Sequence, residues 1–590
     1  MTHRWLLPTA GPPAASDGAG TRAGTPGALS ALAARVLAAR GLGDGETGAR
    51  FLEPKLADLH NPSLLPGVDQ AAQRILDALN ARERIAIYGD YDVDGVCAAA
   101  ILHHVILHIR PDADVVAYVP HRIDEGYGLN AEALRKLAHD GARLIVSVDC
   151  GVTAREPALA ARDAGADLII TDHHNLPSDH ALLPHAYAIV HPRLPGSAYP
   201  FGELCGAGVA FKLAWRLATL AHGSERVAEP TRRLLLDLLA LAALGTIADI
   251  VPLLDENRVI ARFGLGRLRS TDLIGLNALI EAADLAGSNI DAEQVGFVLG
   301  PRLNACGRMG HARDAVEMFT TATRGRALQI ARELNRLNDQ RRASERAIAA
   351  QAVEMAEAAG MTADDRRAIV LACEGWSPGV IGIVCSRLVE RYHRPTLLLQ
   401  RDNGLCQGSG RSIDGFCLHD ALESCADLLD RFGGHDMAAG LAVSADRFDA
   451  FAERFIALAN ERLSPDHLTP SLRIDCDASL EELTPDAVRQ LERLGPFGRS
   501  NPAPSVRLTG VRLAGPPEPL GAHGKHLALR IGAGTRVMRV VAWNWGQRRA
   551  QLHAGDEVEL VVEPKISTWN ARRGGLPAVE PTLKDLARRA

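Results

Sequence analysis

The densest group of potentially reactive side chains is the run Asp90-Tyr91-Asp92-Val93-Asp94-Gly95. Its three carboxylates occupy alternate positions directly after the segment RIAIYG, which is typical of a buried strand. Where a strand ends, alternate side chains can point the same way, so the three carboxylates can meet. Because clustered like charges repel one another, this arrangement favours a bound cation. The run therefore predicts a metal site at the end of a strand.

A calcium-binding EF-hand loop also opens with the pattern D-x-D-x-D-G. That loop needs a glutamate at its twelfth position, and here the residue is Ile101. It also needs a preceding helix, whereas the segment before Asp90 has the pattern of a strand. The EF-hand interpretation is therefore excluded.

Three further candidates follow apolar segments in the same region. Asp149 follows LIVSV, Asp172-His173-His174 follows LIIT, and Asp249 lies in GTIADIVPL. In doubly wound sheets, ligands bind at the carboxyl ends of the strands, so these loops can converge on one crevice. A lone aspartate at a strand end is more often a helix cap or a surface residue. Four such positions with this composition nevertheless indicate a single site.

The donor types indicate which metal and which reaction to expect. Mixed carboxylate and imidazole ligands suit Mn²⁺, and Mg²⁺ is favoured where carboxylates dominate. Two such ions about 3.5–4 Å apart can stabilise the attacking and leaving oxygens of a phosphoryl displacement and can activate water. The sequence has no P-loop pattern, which argues against nucleotide-driven chemistry. The residues thus predict hydrolysis of a phosphoester or phosphoanhydride with two Mn²⁺ or Mg²⁺ ions.

The elements that must position these residues follow an α/β pattern. Short apolar segments (RIAIYG, VVAYV, LIVSV, LIIT and YAIV) alternate with Ala- and Leu-rich helical segments between residues 84 and about 260. Continuous apolar strands separated by helices indicate a parallel sheet that is covered on both faces.

The rest of the chain has a different organisation. Residues 10–30 are rich in Pro, Gly and Ala and predict a disordered leader. Residues 327–360 predict a long connecting helix, residues 367–462 a second α/β region, and the C-terminal part a small β-barrel of the OB type. The predicted divisions are 1–50 (leader and N-terminal segment), 51–260 (parallel-sheet domain), 261–360 (helical connector), 361–463 (second α/β domain) and 471–590 (barrel).

Length, charge and cysteine content exclude several protein classes. A chain of 590 residues is long enough for three or four domains. Its 65 basic and 71 acidic residues exclude a histone-like polycation but allow a basic groove beside an acidic centre. Ten cysteines without a CxxC pair argue against a disulfide scaffold and indicate a cytoplasmic protein. The apolar run 234–254 contains Asp237, Asp249 and Pro252, so we expect a buried helix and loop and no membrane association.

These motifs, taken in order, resemble those of the DHH phosphoesterase superfamily: DYDVDG, VDCG, DHH and the Asp of TIADIVPL. The chain is similar specifically to the bacterial RecJ family of single-stranded-DNA-specific exonucleases over roughly residues 50–590. Further matching motifs are PRLNACGRMG (301–310), GWSPGVIGIVCSRLVERYHRPTLLL (375–399), GSGRS (408–412) and GGHDMAAG (433–440), and the later ones are typical of the DHHA1 domain. The resemblance implies 5′→3′ degradation of single-stranded DNA in recombination and repair. It also implies a single-strand-binding protein and a helicase as partners.

The resemblance also implies a role for each motif residue. Asp149 resembles a carboxylate that bridges two ions, His174 an imidazole that meets the scissile phosphate, and Asp172 a residue that orients the histidine pair. Relatives in the wider superfamily carry a histidine ligand where this chain has Tyr88, and Asp90 is the candidate to replace it. The implied metal ligands are Asp90, Asp92, Asp94, Asp149, His173 and Asp249.

A second group of residues is predicted to hold DNA. Residues 408–412 predict a small-residue loop whose backbone N–H groups, hydroxyls and guanidinium could bind a phosphate. A glycine-rich loop alone is more often only a turn, and the DHHA1-like context makes the phosphate-binding interpretation the stronger one. The candidate DNA-binding residues are Arg308, Ser409, Gly410, Arg411, Ser412 and His435.

Two alternative functions remain open from the sequence. A DHH phosphodiesterase acting on short oligonucleotides or cyclic dinucleotides would share the metal site, although such enzymes lack a C-terminal barrel. A non-catalytic single-strand-binding relative would show lost ligand residues, and none of the matched carboxylates is missing here.

Overall fold

The structure of the chain is a computed structural model that describes residues 3–8, 29–43, 45–121, 125–126, 128–567 and 578–589. They form two compact units. Unit A comprises residues 54–343 and 496–502, and unit B comprises residues 1–53, 344–495 and 503–590. The five predicted domains are finer than this division, so their boundaries stay predictions. Most of the predicted leader, residues 9–28, lies outside the described residues.

The N-terminal segment contributes three short elements to unit B. They are β1 (Arg4–Leu6), α1 (Ala31–Ala39) and α2 (Gly45–Leu52). Ser30 begins α1, because its side chain accepts a hydrogen bond from the backbone N–H of Ala33. Strand β1 pairs in parallel with residues 471–473. Ordered structure therefore begins before residue 50.

Unit A is an α/β assembly that begins at a helix and continues by strand–helix alternation. Its elements are α3 (Val68–Ala81), β2 (Arg84–Gly89), α4 (Val93–Ile109), β3 (Val115–Tyr118), α5 (Ala131–His139), β4 (Ala142–Val148), α6 (Arg155–Asp163), β5 (Asp167–Thr171), β6 (Ala188–Val190), α7 (Gly206–His222), α8 (Glu229–Ala248), α9 (Asp255–Arg267), α10 (Ile274–Ala282), α11 (Ala292–Gln294), α12 (Gly300–Met309) and α13 (Arg313–Thr320).

The strands of unit A form one sheet in the order β3-β2-β4-β5-β6, with every neighbouring pair parallel. Helices α3, α4, α7 and α8 cover one face, and α5 and α6 cover the other. The predicted parallel sheet with both faces covered is confirmed. Its continuous apolar strands are needed because neither face meets water.

The strand order places a topological switch point between β2 and β4. The chain runs from β2 outward to β3, and then returns to add β4 on the opposite side of β2. The loops that leave β2 and β4 therefore diverge and open a crevice at the carboxyl ends of the two strands. This crevice receives the DYDVDG run and Asp149.

The apolar run 234–254 belongs to α8 and the loop that follows it. Asp237 in this helix is buried, and its carboxylate accepts a hydrogen bond from Nε of Arg267 at 3.1 Å. The helix packs inside unit A. Across the described part of the chain, none of the helices is both long and apolar enough to cross a membrane.

A single long helix, α14 (Arg324–Ala358), follows α13 and agrees with the helix predicted over 327–360. The second α/β region of unit B comes next and contains a five-stranded mixed sheet in the order β10-β11-β9-β8-β7, where only β7 and β8 are parallel. Its elements are β7 (Ile369–Cys373), α15 (Pro378–Tyr392), β8 (Thr396–Asp402), β9 (Leu405–Arg411), α16 (Leu418–Glu423), β10 (Arg431–Gly434), β11 (Ala438–Ser444) and α17 (Phe448–Arg462).

The C-terminal region contains a seven-stranded sheet in which β14 pairs with both β18 and β16. This double pairing closes strands β14, β18, β21, β17 and β16 into a barrel, as predicted. The elements are β12 (Ser471–Arg473), β13 (Cys476–Ala478), α18 (Pro485–Glu492), β14 (Val506–Leu513), β15 (Glu518–Leu520), β16 (His526–Ala533), β17 (Arg536–Ala542), β18 (Glu557–Glu563), β19 (Ile566–Ser567), β20 (Ala578–Val579) and β21 (Thr582–Arg588).

Candidate metal centre

The DYDVDG run forms the connection from β2 to α4. Asp90 is buried directly after the strand, and Asp92 is the N-cap of the helix. Oδ1 of Asp92 accepts hydrogen bonds from the backbone N–H groups of Asp94 and Gly95, at 2.9 and 3.1 Å. A side chain added at Gly95 would meet the backbone of Asp90 at 2.5 Å. The glycine is thus required for this tight turn.

Asp94 is held by the N-terminus of a distant helix. The backbone N–H groups of Gly206 and Ala207, at the start of α7, donate to its two carboxylate oxygens at 2.6 and 2.9 Å. A β-carbon at Gly245 would lie 2.2 Å from Oδ1 of Asp94. Sequence reasoning missed these contacts. The small-residue run Cys205-Gly206-Ala207-Gly208 is the signal that could have indicated a close approach.

Asp149 leaves β4 in the left-handed backbone region, with φ of 63°. This conformation is uncommon for a residue with a side chain, and aspartate tolerates it better than most. Its neighbour Gly151 has φ of 117°, and a β-carbon there would lie 2.8 Å from Leu129. A β-carbon at Gly206 would lie 2.5 Å from Oδ1 of Asp149. The carboxylate is therefore confined between β4 and α7.

The Asp172 carboxylate organises the histidine pair after β5. Its Oδ1 accepts from the backbone N–H of His173 at 2.7 Å and lies 2.7 Å from Nδ1 of His174. Its Oδ2 accepts from the backbone N–H of Val152 at 2.8 Å. Both oxygens of Asp172 are therefore engaged by backbone N–H groups and by His174, the arrangement expected of a residue that positions the histidine pair.

Asp249 reaches the crevice from a helix and not from a strand. It is the C-cap of α8, so the strand-end rule does not explain its position. The next residue, Ile250, has φ of 58°, which strains a β-branched side chain, and it is 63% exposed. This backbone turn directs the chain away from the helix end while Asp249 remains beside the histidines.

The carboxylates converge on Nε2 of His173. This atom lies 3.1 Å from Oδ1 of Asp149, 3.6 Å from Oδ2 of Asp249 and 3.8 Å from Oδ2 of Asp94. Ligands at about 2.1 Å from an octahedral ion lie about 3 Å from one another. The four side chains therefore surround a space of the size that a divalent cation needs.

Asp149 belongs to two neighbouring groups of potential ligands. In one group its carboxylate lies within 4.8 Å of ring nitrogens of His173 and His174, and in the other within 4.8 Å of carboxylate oxygens of Asp90 and Asp92. A carboxylate shared by two groups is the arrangement expected of a bridging ligand.

Burial and mutual repulsion raise the pKa values of these carboxyl groups. The pKa of Asp149 is held well above its ordinary value by burial and then by the charges of Asp94, Asp92, Asp90 and Asp249. Burial and the neighbouring carboxylates likewise raise the pKa of Asp249 to about 8. The cluster therefore carries an electrostatic cost that a cation would relieve.

The pKa values of the two histidines are shifted in opposite directions. Burial lowers the pKa of His173 to about 4, which keeps its imidazole in the neutral form that ligates metals. Burial also disfavours the charged form of His174, but the hydrogen bond and charge of Asp172 outweigh it and raise the pKa of His174 to about 9. His174, when protonated, is thus suited to donating a hydrogen bond to an anion.

Two buried atoms support the fit of a cation. Oδ1 of Asp149 and Nε2 of His173 are buried and make no hydrogen bond within the described parts of the chain. Orphaned polar atoms are costly unless a ligand satisfies them. The donor set of carboxylates and one neutral imidazole suits Mn²⁺ or Mg²⁺. The residues present therefore fit the predicted ions.

Tyr88 does not take part in this cluster. Its ring is buried on the α5–α6 side of the sheet, and its hydroxyl donates to the carbonyl oxygen of Gly128 at 3.0 Å. Asp90 instead contributes to the group that contains Asp92 and Asp149.

Arg308, the predicted DNA contact in unit A, lies in the last turn of α12. The preceding Gly307 packs against the DYDVDG run, because a β-carbon there would lie 3.0 Å from the carbonyl oxygen of Tyr91. The turn that carries Arg308 therefore adjoins the metal cluster.

The other predicted DNA contacts belong to unit B. Residues 408–411 lie within strand β9, so the prediction of a loop is wrong for them. A β-carbon at Gly408 would lie 2.0 Å from the carbonyl oxygen of Leu398, and one at Gly410 would lie 2.4 Å from Leu397. The glycines therefore permit close packing in the sheet and do not form a turn.

Two polar side chains of this strand lie beside the same helix, α15. Oγ of Ser409 and Nη2 of Arg411 would each lie 3.4 Å from a β-carbon at Gly382, in the second turn of α15. Ser412 differs, since its hydroxyl donates to the carbonyl oxygen of Phe416 at 2.6 Å. His435 is exposed directly after β10. Ser409 and Arg411 are the pair that the fold brings together.

Comparison with known families identifies three matching regions. Residues 84–246 match the DHH family, N-terminal domain; residues 365–461 match the DHHA1 domain; and residues 474–574 match the RecJ OB domain.

Comparison with individual proteins gives similarity over most of the chain. The single-stranded-DNA-specific exonuclease RecJ of Bacillus subtilis (strain 168) is 38% identical over 92% of this chain and 67% of its own length. The corresponding Dickeya dadantii (strain 3937) protein is 37% identical over 93% and 95%. The crystal structure of Thermus thermophilus RecJ in complex with Mn²⁺ has a TM-score of 0.79 and 32% identity, and covers 95% of this chain and 76% of that one. Its Mg²⁺ complex has a TM-score of 0.73 and 31% identity over 95% and 75%.

Proposed function

The chain belongs to the RecJ family of single-stranded-DNA-specific exonucleases, and we propose that it degrades single-stranded DNA from the 5′ end by metal-dependent hydrolysis of phosphodiester bonds. The observation that carries this proposal is the convergence of Asp94, Asp149 and Asp249 on Nε2 of His173. The intact set of ligands also argues against a non-catalytic binding protein. The C-terminal barrel argues against an enzyme restricted to cyclic dinucleotides.

The proposed roles in the centre follow from position and charge. Divalent ions, when bound, supply the positive charge that phosphate oxygens need and activate the attacking water. Asp149 would be shared by both ions, and Asp172 would orient the histidines. His174, with its raised pKa, would present a proton at Nε2 to an oxygen of the scissile phosphate. The proposed metal ligands are Asp90, Asp92, Asp94, Asp149, His173 and Asp249.

Each unit carries proposed contacts to the DNA strand. In unit A, Arg308 would contact the DNA backbone beside the metal centre. In unit B, Arg411 and Ser409, which meet at Gly382 near the N-terminal part of α15, would hold a phosphate through guanidinium and hydroxyl groups. Gly410, Ser412 and His435 remain proposed contacts.

The cellular setting rests on the family membership. We propose a cytoplasmic enzyme of DNA recombination and repair that works beside a single-strand-binding protein and a helicase.

A strand-specific nuclease assay tests the proposed function. Single strands and duplexes labelled at the 5′ or the 3′ end are incubated with Mn²⁺, with Mg²⁺ or with excess chelator. We expect early release of the 5′ label from single strands, little attack on duplexes, and no hydrolysis with chelator. Activity that persists in chelator would contradict the metal mechanism, and early release of the 3′ label would contradict the polarity.

A further inference from the structure

The segment 496–502 of unit A forms a tight turn against the chain that follows Asp249. The N–H of Gly498 donates to the carbonyl oxygen of Asn501 at 2.9 Å, and the reciprocal bond is 3.1 Å. Nδ2 of the buried Asn501 donates to the carbonyl oxygen of Pro496 at 2.9 Å. Arg499 and Ser500 are therefore the two central residues of a tight turn that these hydrogen bonds hold in one conformation.

The turn is hydrogen-bonded directly to the loop that follows Asp249. The backbone N–H of Leu253 donates to the carbonyl oxygen of Arg499 at 2.9 Å. A β-carbon at Gly498 would lie 2.8 Å from the end of the Leu253 side chain, so the turn packs closely against this residue. The position of Arg499 relative to Asp249 is consequently set by backbone contacts and not by a flexible linker.

The Arg499 side chain projects beside the carboxylate cluster without a carboxylate partner. The residue is exposed, and its side chain forms no ion pair with any acidic group in the described ranges. Its Nη1 donates at 3.4 Å to the carbonyl oxygen of Ile250, a long bond that occupies one of its five N–H groups. Its charge is close enough to act on the carboxyl group of Asp249.

We infer that Arg499 is a substrate-positioning residue that holds a backbone phosphate of the DNA strand next to the bond being cleaved. This inference rests on the proposed function, because it assumes a DNA strand at the metal centre. A guanidinium is the side chain best matched to a phosphate, which it can bind through two parallel hydrogen bonds. A cation at the rim of an acidic cluster also reduces the repulsion that an incoming polyanion would meet.

A phosphate next to the scissile one has the same charge before and during the reaction. Arg499 therefore contributes equally to the ground state and the transition state, and its loss weakens binding without slowing the chemical step. The competing interpretation is that Arg499 only braces the strained backbone at Ile250. If Arg499 only braces the backbone, its loss will lower the stability of the fold and leave the salt dependence of DNA affinity unchanged. Loss of a phosphate contact will reduce that salt dependence.

The test compares Arg499→Ala, Arg499→Lys and the matched control Arg232→Ala. Arg232 is an exposed arginine paired with Glu229 near the start of α8, about 25 Å along that helix from Asp249. Affinity for a labelled oligothymidylate is measured in chelator over a series of salt concentrations. Thermal unfolding and single-turnover rates with Mn²⁺ are measured on the same preparations.

We expect Arg499→Ala to raise Kd about tenfold, to leave the single-turnover rate at saturating protein within about twofold, and to reduce the salt slope by about 0.7. Arg499→Lys should keep the slope, and Arg232→Ala should resemble the unaltered protein. An unchanged Kd and slope for Arg499→Ala would overturn the inference, and so would lost thermal stability with an unchanged slope. An unaltered protein that fails to degrade single strands would instead refute the proposed function.

Discussion

At the scale of single residues, the centre depends on side chains whose preferred charge state is changed by burial. Asp149 and Asp249 are carboxyl groups with raised pKa values, while His173 is an imidazole with a lowered one. The raised pKa values disfavour the negative charge that the carboxyl groups would carry in water, and a bound cation reverses this effect; the lowered pKa keeps the imidazole neutral.

Asp149→Asn should separate catalysis from binding. The amide keeps the shape but loses the charge that the two ion sites are proposed to share, so the single-turnover rate should fall at least about 100-fold. Affinity for single strands should be maintained or increase, because one negative charge is removed. The matched control is Asp163→Asn, an exposed aspartate at the end of α6. Normal cleavage by Asp149→Asn would show that the residue does not bridge the ions.

Metal affinity should depend on pH in a defined direction. Asp249, with a pKa of about 8, must lose its proton before it can ligate an ion, as must Asp149. The apparent affinity for Mn²⁺ should therefore decrease as the pH falls through about 8, and protons should be released on binding. Calorimetric titration in buffers of different ionisation enthalpy measures both quantities. Equal affinity on both sides of this pH would contradict the expectation.

Arg411→Ala should weaken binding more than it slows the reaction. A phosphate held by Arg411 is present in both the ground state and the transition state, so KM should rise more than kcat falls. The salt slope of single-strand binding should decrease by about 0.7, the contribution of one phosphate. The control is Arg454→Ala, which removes an exposed arginine of α17 that is paired with Asp427. If Arg411 only braces its strand, stability will fall and the slope will not change.

At the scale of elements, the centre is assembled where strand ends meet the N-terminus of α7 and the C-terminus of α8. Helix α7 donates two backbone N–H groups to Asp94 and approaches Asp149 closely. The positive end of the helix dipole also favours carboxylates at this point. Without the α7 contact, Asp94 would be a buried and poorly satisfied carboxylate.

Gly206→Ala tests this contact between helix and carboxylate. The added methyl would lie 2.5 Å from the Asp149 side chain, so either α7 or the carboxylate must move. We expect a loss of Mn²⁺ affinity and of hydrolysis by at least about tenfold. Gly266→Ala in α9 is the matched control, because a β-carbon there meets nothing within 4 Å. That control should keep activity and gain up to about 1 kcal/mol of stability.

At the scale of the whole molecule, the chain combines a unit that holds the carboxylate cluster with a unit that carries the DHHA1 and barrel regions. A net charge of −6 gives no indication of a nucleic-acid enzyme. The carboxylates of the candidate metal centre lie together in one crevice, where ions would neutralise them. Arginine side chains outside that crevice can then bind phosphate.

Mn²⁺ should stabilise the folded protein as well as activate it. An ion that binds only the folded state at about 100 times its Kd adds about 2.7 kcal/mol to the free energy of unfolding. The unfolding transition of unit A should therefore move to higher temperature with Mn²⁺, and the shift should shrink in Asp149→Asn. Thermal unfolding with and without chelator measures this. A shift of equal size in both proteins would place the ion elsewhere.

The local parts of this protein could be predicted from the amino-acid sequence alone. The parallel strands, α4, α14 and the barrel follow from patterns of neighbouring apolar residues, and Asp92 begins a helix because a short polar side chain can cap it. The motif residues also identified the chemistry, since clustered carboxylates with histidine favour divalent ions whatever the exact geometry.

The distant groups that complete the centre could be recognised only from the folded chain. The α7 N–H groups on Asp94, the helix-end position of Asp249 and the Arg499 turn on Leu253 join residues far apart in the chain. The glycines of 408–411 gave a wrong loop prediction for the same reason, because their need for space comes from a neighbouring strand. The pattern of neighbouring residues predicts the local conformation of each segment. It does not predict which distant backbone will contact a residue once the core has packed.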